Sequence, residues 1–598
     1  MRRPWKRLIK RNKIIREWLD PGRIWSIVAG VAIFYFLIWP MAMLVMGAFR
    51  TTPFGTDGTG WTLSGVRTVL TDPWTPRVIL ASVVHSTAST LLALVIALYF
   101  VMVTTRMETR LRWLVGPMMI VLLATPRLFY ALSWAMLGNP NAGIFAGISK
   151  VLIGTGLPGW LSVYSWLGLI GVTSLKLAGF AYLLLYGPAM RTDRSMEDAA
   201  VMAGVPRFRA FCDITLTSLT PSLLAVGMFM FVENLRLFDI PAVIGLPAGI
   251  HTLPLRVNDY LLENIRANWS AAGALSLFVM LVIAMLVYVQ TAIIGDRDFT
   301  TISGKATPPV PTPIGRLGKW VDLSIAAFII FAIVLPITQV VIGSFQPYFG
   351  LYSVYTLSNY ASILFNEDMR RIMVVTFLIA INGALIAVAA SFGMALLMQR
   401  RRGTFLARMA RLGSWVPIFA PGIVLSLALL WAYLYTPLIW RLYGTPWLML
   451  FALIVGSIPP AVRAVEGIVY QVGKDVEEAA RVCGASTLLA IGQITARLCL
   501  PSLLVAWLVI TLGISGTLDI PLLFKSIEAQ TVATTAYDLY NFGQAPEAAA
   551  LFIIYLVSGI VGVGTVVLLG WLTRRELLRR VRIKQAALAA SGGLSVVR

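Results

Sequence analysis

MEDAAVMAGV at 196–205 returns 280 residues later as VEEAARVCGA at 476–485. The same offset carries FDIP at 238–241 onto LDIP at 518–521. Nearer the N-terminus, FLIWPMAMLVMGAF at 36–49 returns as FAIVLPITQVVIGSF at 331–345, with Pro40 and Pro336, Gly47 and Gly343, and Phe49 and Phe345 each 296 apart. The chain is therefore a duplication, and its two halves point the same way. The smaller offset downstream marks an insertion in the first half, most simply GNPNAGIFAGISKVLIGTGLPGW at 138–160.

The material between these repeats is too apolar for water. Of 598 residues 58% are hydrophobic and 13% charged, with mean hydropathy +0.81, whereas soluble domains run at about 25% charged. These values exclude soluble, disulfide-stapled, collagen-like and disordered classes. Twelve apolar runs are long enough to span a bilayer: 24–49, 78–104, 113–138, 163–189, 219–244, 270–294, 321–345, 372–398, 414–440, 446–470, 499–524 and 547–573. They lack the alternation of barrel strands, and a bilayer offers no water to unpaired backbone groups, so they are helices. The predicted fold is an all-α membrane protein of twelve transmembrane helices in two parallel six-helix repeats. The expected halves are 1–295 and 321–598, joined by a Pro-rich cytoplasmic linker at 296–320. Such a duplication suggests a transport path at the interface of the halves.

The net charge of +22 is a matter of topology. Of 49 Lys and Arg, 35 lie before the first run, after the last, or in alternate loops, and only 10 lie in the opposite loops. The positive-inside rule then places both termini in the cytoplasm of a bacterial inner membrane. Anionic lipid headgroups are the expected partner of the basic ends, and nucleic acid is not needed. The basic start resembles a signal peptide only in charge, because its apolar stretch is too long and no small-residue cleavage site follows, so it reads as a retained helix. Cys212, Cys483 and Cys499 show no paired spacing and read as free thiols.

The duplicated loop is legible residue by residue. Each copy opens with a capping-box pattern, Ser195 three residues before Asp198 and Asp475 three before Glu478. Glu197 and Glu477 fall in the first turn, where the helix dipole favours acids, and Ala199, Ala200, Ala479 and Ala480 add helix propensity. Gly204 and Gly484 stop the helix by accepting a left-handed backbone, and Pro206 or Ser486 begins a second short helix. One copy alone would be an ordinary surface helix; two in register are a motif.

The pattern runs acid-Ala-Ala, three residues, Gly, ten residues to Ile214 or Ile494, then seven to Pro221 or Pro501. It resembles the signature of permease subunits of binding-protein-dependent ABC importers, as a fused two-half chain of the type I class. With VENLRLFDIPAVIGLPAGI at 232–250 it looks closest to the ferric iron type. Two departures stand out: Asp198 replaces the usual Glu, and Thr217 and Arg497 replace a common proline. The resemblance implies that Glu197, Asp198, Ala199, Ala200 and Gly204, with Glu477, Glu478, Ala479, Ala480 and Gly484, form coupling helices. Their implied partner is a cytoplasmic ABC ATPase in two copies, and the solute would come from a periplasmic or surface-anchored substrate-binding protein.

The chain's own residues offer no ATP site. SGKAT at 303–307 lacks the glycine spacing of a phosphate loop and the hydroxyl after its lysine. No metal-ligand spacing and no cofactor motif occurs, and His85 and His251 read as packing or interfacial residues. Ionisable residues inside spans are costly and so mark a path. Arg127, Lys176, Glu233, Asp239 and Asp519 are the candidates; Arg127 and Lys176 have no local partner, and their repeat positions hold Gly422 and Gly456. Arg463 with Glu466, and Glu233 with Arg236, read as local ion pairs.

The leading function is thus an ABC importer permease, a transport subunit and not an enzyme, most consistent with ferric iron carried with an anionic ligand. Small anionic solutes such as phosphonates or sugar phosphates, and thiamine, are the alternatives. An ion-coupled secondary transporter would explain the helices but not the duplicated loop. A membrane enzyme would need a convergent acidic or metal site, which the sequence lacks.

Overall fold

The computed structural model describes residues 28–51, 60–154, 158–192, 195–263, 267–294, 311–437 and 439–562, with Gly564, Thr565 and Arg575. The basic N-terminal segment, most of the linker and nearly all of the C-terminal tail lie outside these. Ten described helices are long and apolar enough to cross a membrane. In chain order they are the first span Val28–Gly47, second Trp74–Arg106, fourth Gly159–Met190, fifth Phe211–Leu235, sixth Trp269–Val289, seventh Leu317–Ser344, eighth Glu367–Arg400, tenth Pro446–Gln471, eleventh Ile491–Ser515 and twelfth Ala545–Gly562.

The third and ninth runs are not continuous helices. Each is two arms, Arg112–Ala124 with Arg127–Leu137 meeting at 99°, and Phe405–Phe419 with Gly422–Leu434 meeting at 118°. The break lies at Pro126 and at Pro421. Each proline lacks an N–H and forces the preceding residue out of the helical region, so Ala420 is extended at φ −105, ψ 129. Counting each pair as one span restores twelve, six to each half.

The halves interlock through their first spans. Val28–Gly47 packs against the arm Gly422–Leu434 of the other half, and Leu317–Ser344 against Arg127–Leu137. At Gly47 a Cβ atom would fall 2.0 Å from the Trp431 ring, and at Gly343 it would fall 2.4 Å from Met136 Cε. That is why the repeat keeps a glycine at both positions: the crossing leaves no room for a side chain. Each first span also widens into a π-helical turn just before its proline, Phe34–Ile38 ahead of Pro40 and Ile330–Val334 ahead of Pro336.

Shorter contacts join the halves at both faces. On the face of the basic loops, Met107–Glu108 pairs in parallel with Thr312–Pro313, and Asp322 accepts the Leu111 N–H at 2.9 Å. On the far face, the insertion folds into a helix, Ile144–Ile153. Tyr352 of the second half donates to the Ala142 carbonyl at 2.7 Å, and the Tyr164 and Tyr540 hydroxyls meet at 2.5 Å.

Gly47→Leu and Gly343→Leu are expected to overpack the crossing, costing about 1–3 kcal/mol or preventing assembly. Gly467→Leu, at a position with open space around it, is the control. Thermal unfolding in detergent, with the yield of monodisperse protein, measures the difference.

Candidate functional site

Two constellations are duplicated by the repeat: the loops on the basic face and the breaks in the third and ninth spans. The first loop is a helix Ser195–Met202, a turn, and a short helix Arg207–Ala210. The second is Lys474–Val482, a turn, and Thr487–Ala490. The turns sit on Gly204 at φ 90 and Gly484 at φ 92, a region closed to β-branched residues. In each, the residue after the glycine donates back five positions, Val205 N–H to the Ala200 carbonyl and Ala485 N–H to that of Ala480, both at 3.0 Å. The glycine N–H bonds the carbonyl three back, completing a Schellman stop.

One detail differs from the sequence expectation. Gly473 caps the second helix from an extended backbone without a side-chain bond, so Asp475 lies inside the first turn and no capping box forms there. A glycine two positions earlier let the helix start sooner, and Asp475 keeps only its dipole contact.

The acids of each loop divide into two kinds. Asp198 and Glu478 are exposed, as are Ala199 and Ala479. Glu197 and Glu477 turn inward to ion pairs with Arg106, at 3.4 Å, and Arg400, at 2.8 Å. Both arginines end the second span of their half, 294 residues apart, so the pairing was open to detection through the repeat. Sequence reading also passed over Met202 and Val482, apolar residues at matching positions and each 88% exposed. A groove of about 700 Å³ runs beside the second loop, between Glu478, Val482 and Thr487.

At the breaks the halves part company in chemistry. Lys176 is buried and donates to the carbonyls of Leu122, Leu123 and Thr125, where the arm Arg112–Ala124 ends. It satisfies the acceptors that the break leaves open, at the helix end where a cation is favoured. Lys176 is therefore held by the backbone at the break. Arg127 begins the next arm with 46% of its side chain exposed, 3.6 Å from Glu233. Glu233 also pairs with Arg236 at 2.8 Å, and Arg236 crosses to the other half to donate to the Ala420 carbonyl at 3.2 Å.

Asp239 is buried and Asp519 half-buried, one from each half, and both lie within electrostatic reach of Arg127. A Cβ at Gly422 would fall 1.5 Å from the Asp519 carboxylate, which occupies the start of the arm Gly422–Leu434, where the dipole favours an anion. At the 280 offset Glu233 and Arg236 face Gly513 and Gly516. Four of the five charges of the first half at this site thus have glycine counterparts, Asp239 alone being matched by an acid, Asp519. Gly516 uses its lack of a side chain to close on Pro126, 2.2 Å from where its Cβ would be. Among the described residues no His, Cys, Asp and Glu gather to hold a metal ion. His85 Nε2 lies 3.1 Å from Thr173 Oγ1, and the Arg463–Glu466 pair forms at 3.0 Å.

The family described as binding-protein-dependent transport system inner membrane component matches residues 89–297 and 383–578. The two matches fall one in each half. The chain belongs to this family. It is a permease of an ABC importer, a multi-pass protein of the inner membrane and a transport subunit. The putative ferric transport system permease protein FbpB 1 of Haemophilus influenzae is 24% identical over 489 residues, 79% of this chain and 73% of that one. The ferric transport system permease protein FbpB of Actinobacillus pleuropneumoniae is 23% identical over 557 residues, 90% and 77%. The trehalose/maltose transport system permease protein MalF of Thermococcus litoralis is 29% identical over 133 residues, 22% and 45%. Among solved structures, a chain of a bacterial alginate ABC transporter in complex with its pentasaccharide-bound periplasmic protein covers 50% of the permease and 99% of itself, with TM-score 0.38 and 19% identity.

Valine at position 204 or 484 would have to adopt the positive φ of the Schellman stop, at about 1–3 kcal/mol of local strain. Gly204→Val and Gly484→Val are expected to speed amide exchange across 196–210 or 476–490 by about tenfold or more, with global unfolding unchanged. Hydrogen-exchange mass spectrometry of the folded permease reads this directly.

Proposed function

We propose that the permease imports ferric iron, carried as an anionic complex, from a periplasmic binding protein. Two copies of a separate cytoplasmic ATPase would drive it. The basic face is then the cytoplasmic one, with both termini on it. The two loops seat the ATPase copies, with Met202 and Val482 as apolar knobs and Asp198 and Glu478 as charged neighbours.

The observation that carries the substrate reading is Arg127. It is half-exposed between the halves, at the start of a helical arm whose dipole adds to its positive charge. That charge, met by Glu233 only at 3.6 Å, repels a bare trivalent cation. An anion meets a favourable stop. Of the acids around it, Glu233 pairs with Arg127 and Arg236 and Asp519 sits at a helix start, while one carboxylate oxygen of Asp239 has no hydrogen-bond partner; among the described residues no cluster forms that could hold a metal ion. Ferric iron is favoured over an organic anion by the two ferric permeases that match 79% and 90% of the chain.

The test is reconstitution with the ATPase and binding protein in proteoliposomes, offered ferric iron with citrate or phosphate. Arg127→Gln should lower uptake per folded molecule several-fold while ATPase association is kept. Unchanged uptake would remove Arg127 from the path, and uptake of a phosphonate or sugar phosphate with none of iron would change the substrate. A second expectation is that the purified chain hydrolyses no ATP, whereas it stimulates the ATPase once assembled. Met202→Asp with Val482→Asp should abolish co-purification of the ATPase.

A further inference from the structure

The loop helices touch the rest of the permease through very little. Among the described side chains of Lys474–Val482, Glu477 alone is buried, at 8% exposure. In Ser195–Met202 no residue is buried, and Glu197 is one of the few half-buried ones. A helix this short is unstable by itself in water, so its position is fixed by what holds it.

What holds it is the same in both halves. Arg400 donates to Glu477 at 2.8 Å and to the Val472 carbonyl at 3.2 Å. Arg106 pairs with Glu197 at 3.4 Å and donates to Thr192 Oγ1 at 2.6 Å. Thr192 and Val472 are themselves repeat partners, 280 apart, at the point where the chain leaves the fourth or tenth span. Glu477 also accepts from Thr495 Oγ1 at 2.5 Å, and Thr495 lies in the first turns of the eleventh span. One carboxylate thus ties the loop helix to the end of the eighth span and the start of the eleventh, and its arginine also reaches the exit of the tenth. A guanidinium suits this post because its fork can serve two acceptors at once. Side-chain exposures of 10% to 16% shield both pairs from solvent and salt.

We propose that Glu197 with Arg106, and Glu477 with Arg400, are positioning latches that carry displacement of the loop helix into the spans. This rests on the reading of the loops as ATPase seats. The exposed side of each helix receives the partner, and the inward glutamate hands the motion on. Without the latch the helix can follow the ATPase while the spans stay behind.

The test is hydrogen exchange on the full permease assembled with its ATPase in nanodiscs, with and without ATP and vanadate. In the native complex nucleotide should alter exchange in 474–486 and also in 395–400 and 491–500. In Glu477→Gln, and in Arg400→Gln, the change should persist in 474–486 and fall several-fold in the other two segments. The double variant should be no worse than either single one, because the two residues act through each other. Undiminished change in 395–400 and 491–500 in the single variants, or additive losses in the double, would overturn the latch. A native complex in which nucleotide leaves 474–486 unaltered would overturn the docking reading itself, and the latch with it.

Discussion

Gly47 against the Trp431 ring, and Gly343 against Met136, set how near the two halves come. Within lipid no hydrophobic force draws apolar helices together, so close approach of small residues supplies the contact. Here that contact crosses from one half to the other, and always onto an arm of a broken span. The breaks therefore lie at the interface and not at the lipid-facing rim, so what stands at Pro126 and Pro421 stands between the halves.

Once the breaks are there, their open carbonyls and helix starts must be satisfied, and the halves do this differently. The first half uses charge: Lys176 on the carbonyls of its own break, Arg127 at the start of its arm, Arg236 reaching over to Ala420. The second half has glycine at each corresponding place, and these glycines make room, Gly422 for the Asp519 carboxylate and Gly516 for Pro126. Duplication supplied two equal halves, and one of them now carries the cationic groups for both. The interface at the breaks thus has one charged wall and one close-packed wall.

Much of this was legible in the sequence, and the remainder was hidden for a physical reason. Spans show because a bilayer demands about 20 apolar residues in a row, and the loop stops show because only glycine takes φ near 90 without strain. The breaks did not show. Pro188, Pro221 and Pro501 also interrupt apolar runs, and their helices continue. A proline becomes a break where distant side chains donate to the freed carbonyls, and Lys176 lies 53 residues from Leu123, Arg236 184 from Ala420. Glu197 and Glu477 were read with the exposed acids because their arginines are 91 and 77 residues away. The repeat was the one tool that reached so far: Arg106 and Arg400 occupy equivalent places, as do Thr192 and Val472.

The proposed path puts Arg127 at a water-filled space between the halves, with Lys176 sealed against the backbone. It can be tested in a chain with Cys212, Cys483 and Cys499 replaced by serine, carrying Arg127→Cys or Lys176→Cys and reconstituted into vesicles. A charged, membrane-impermeant thiol reagent needs water to reach and ionise its target. The account predicts rapid labelling of Arg127→Cys, slowed by the transported solute, and almost none of Lys176→Cys. Labelling of Lys176→Cys with protection of Arg127→Cys would contradict it.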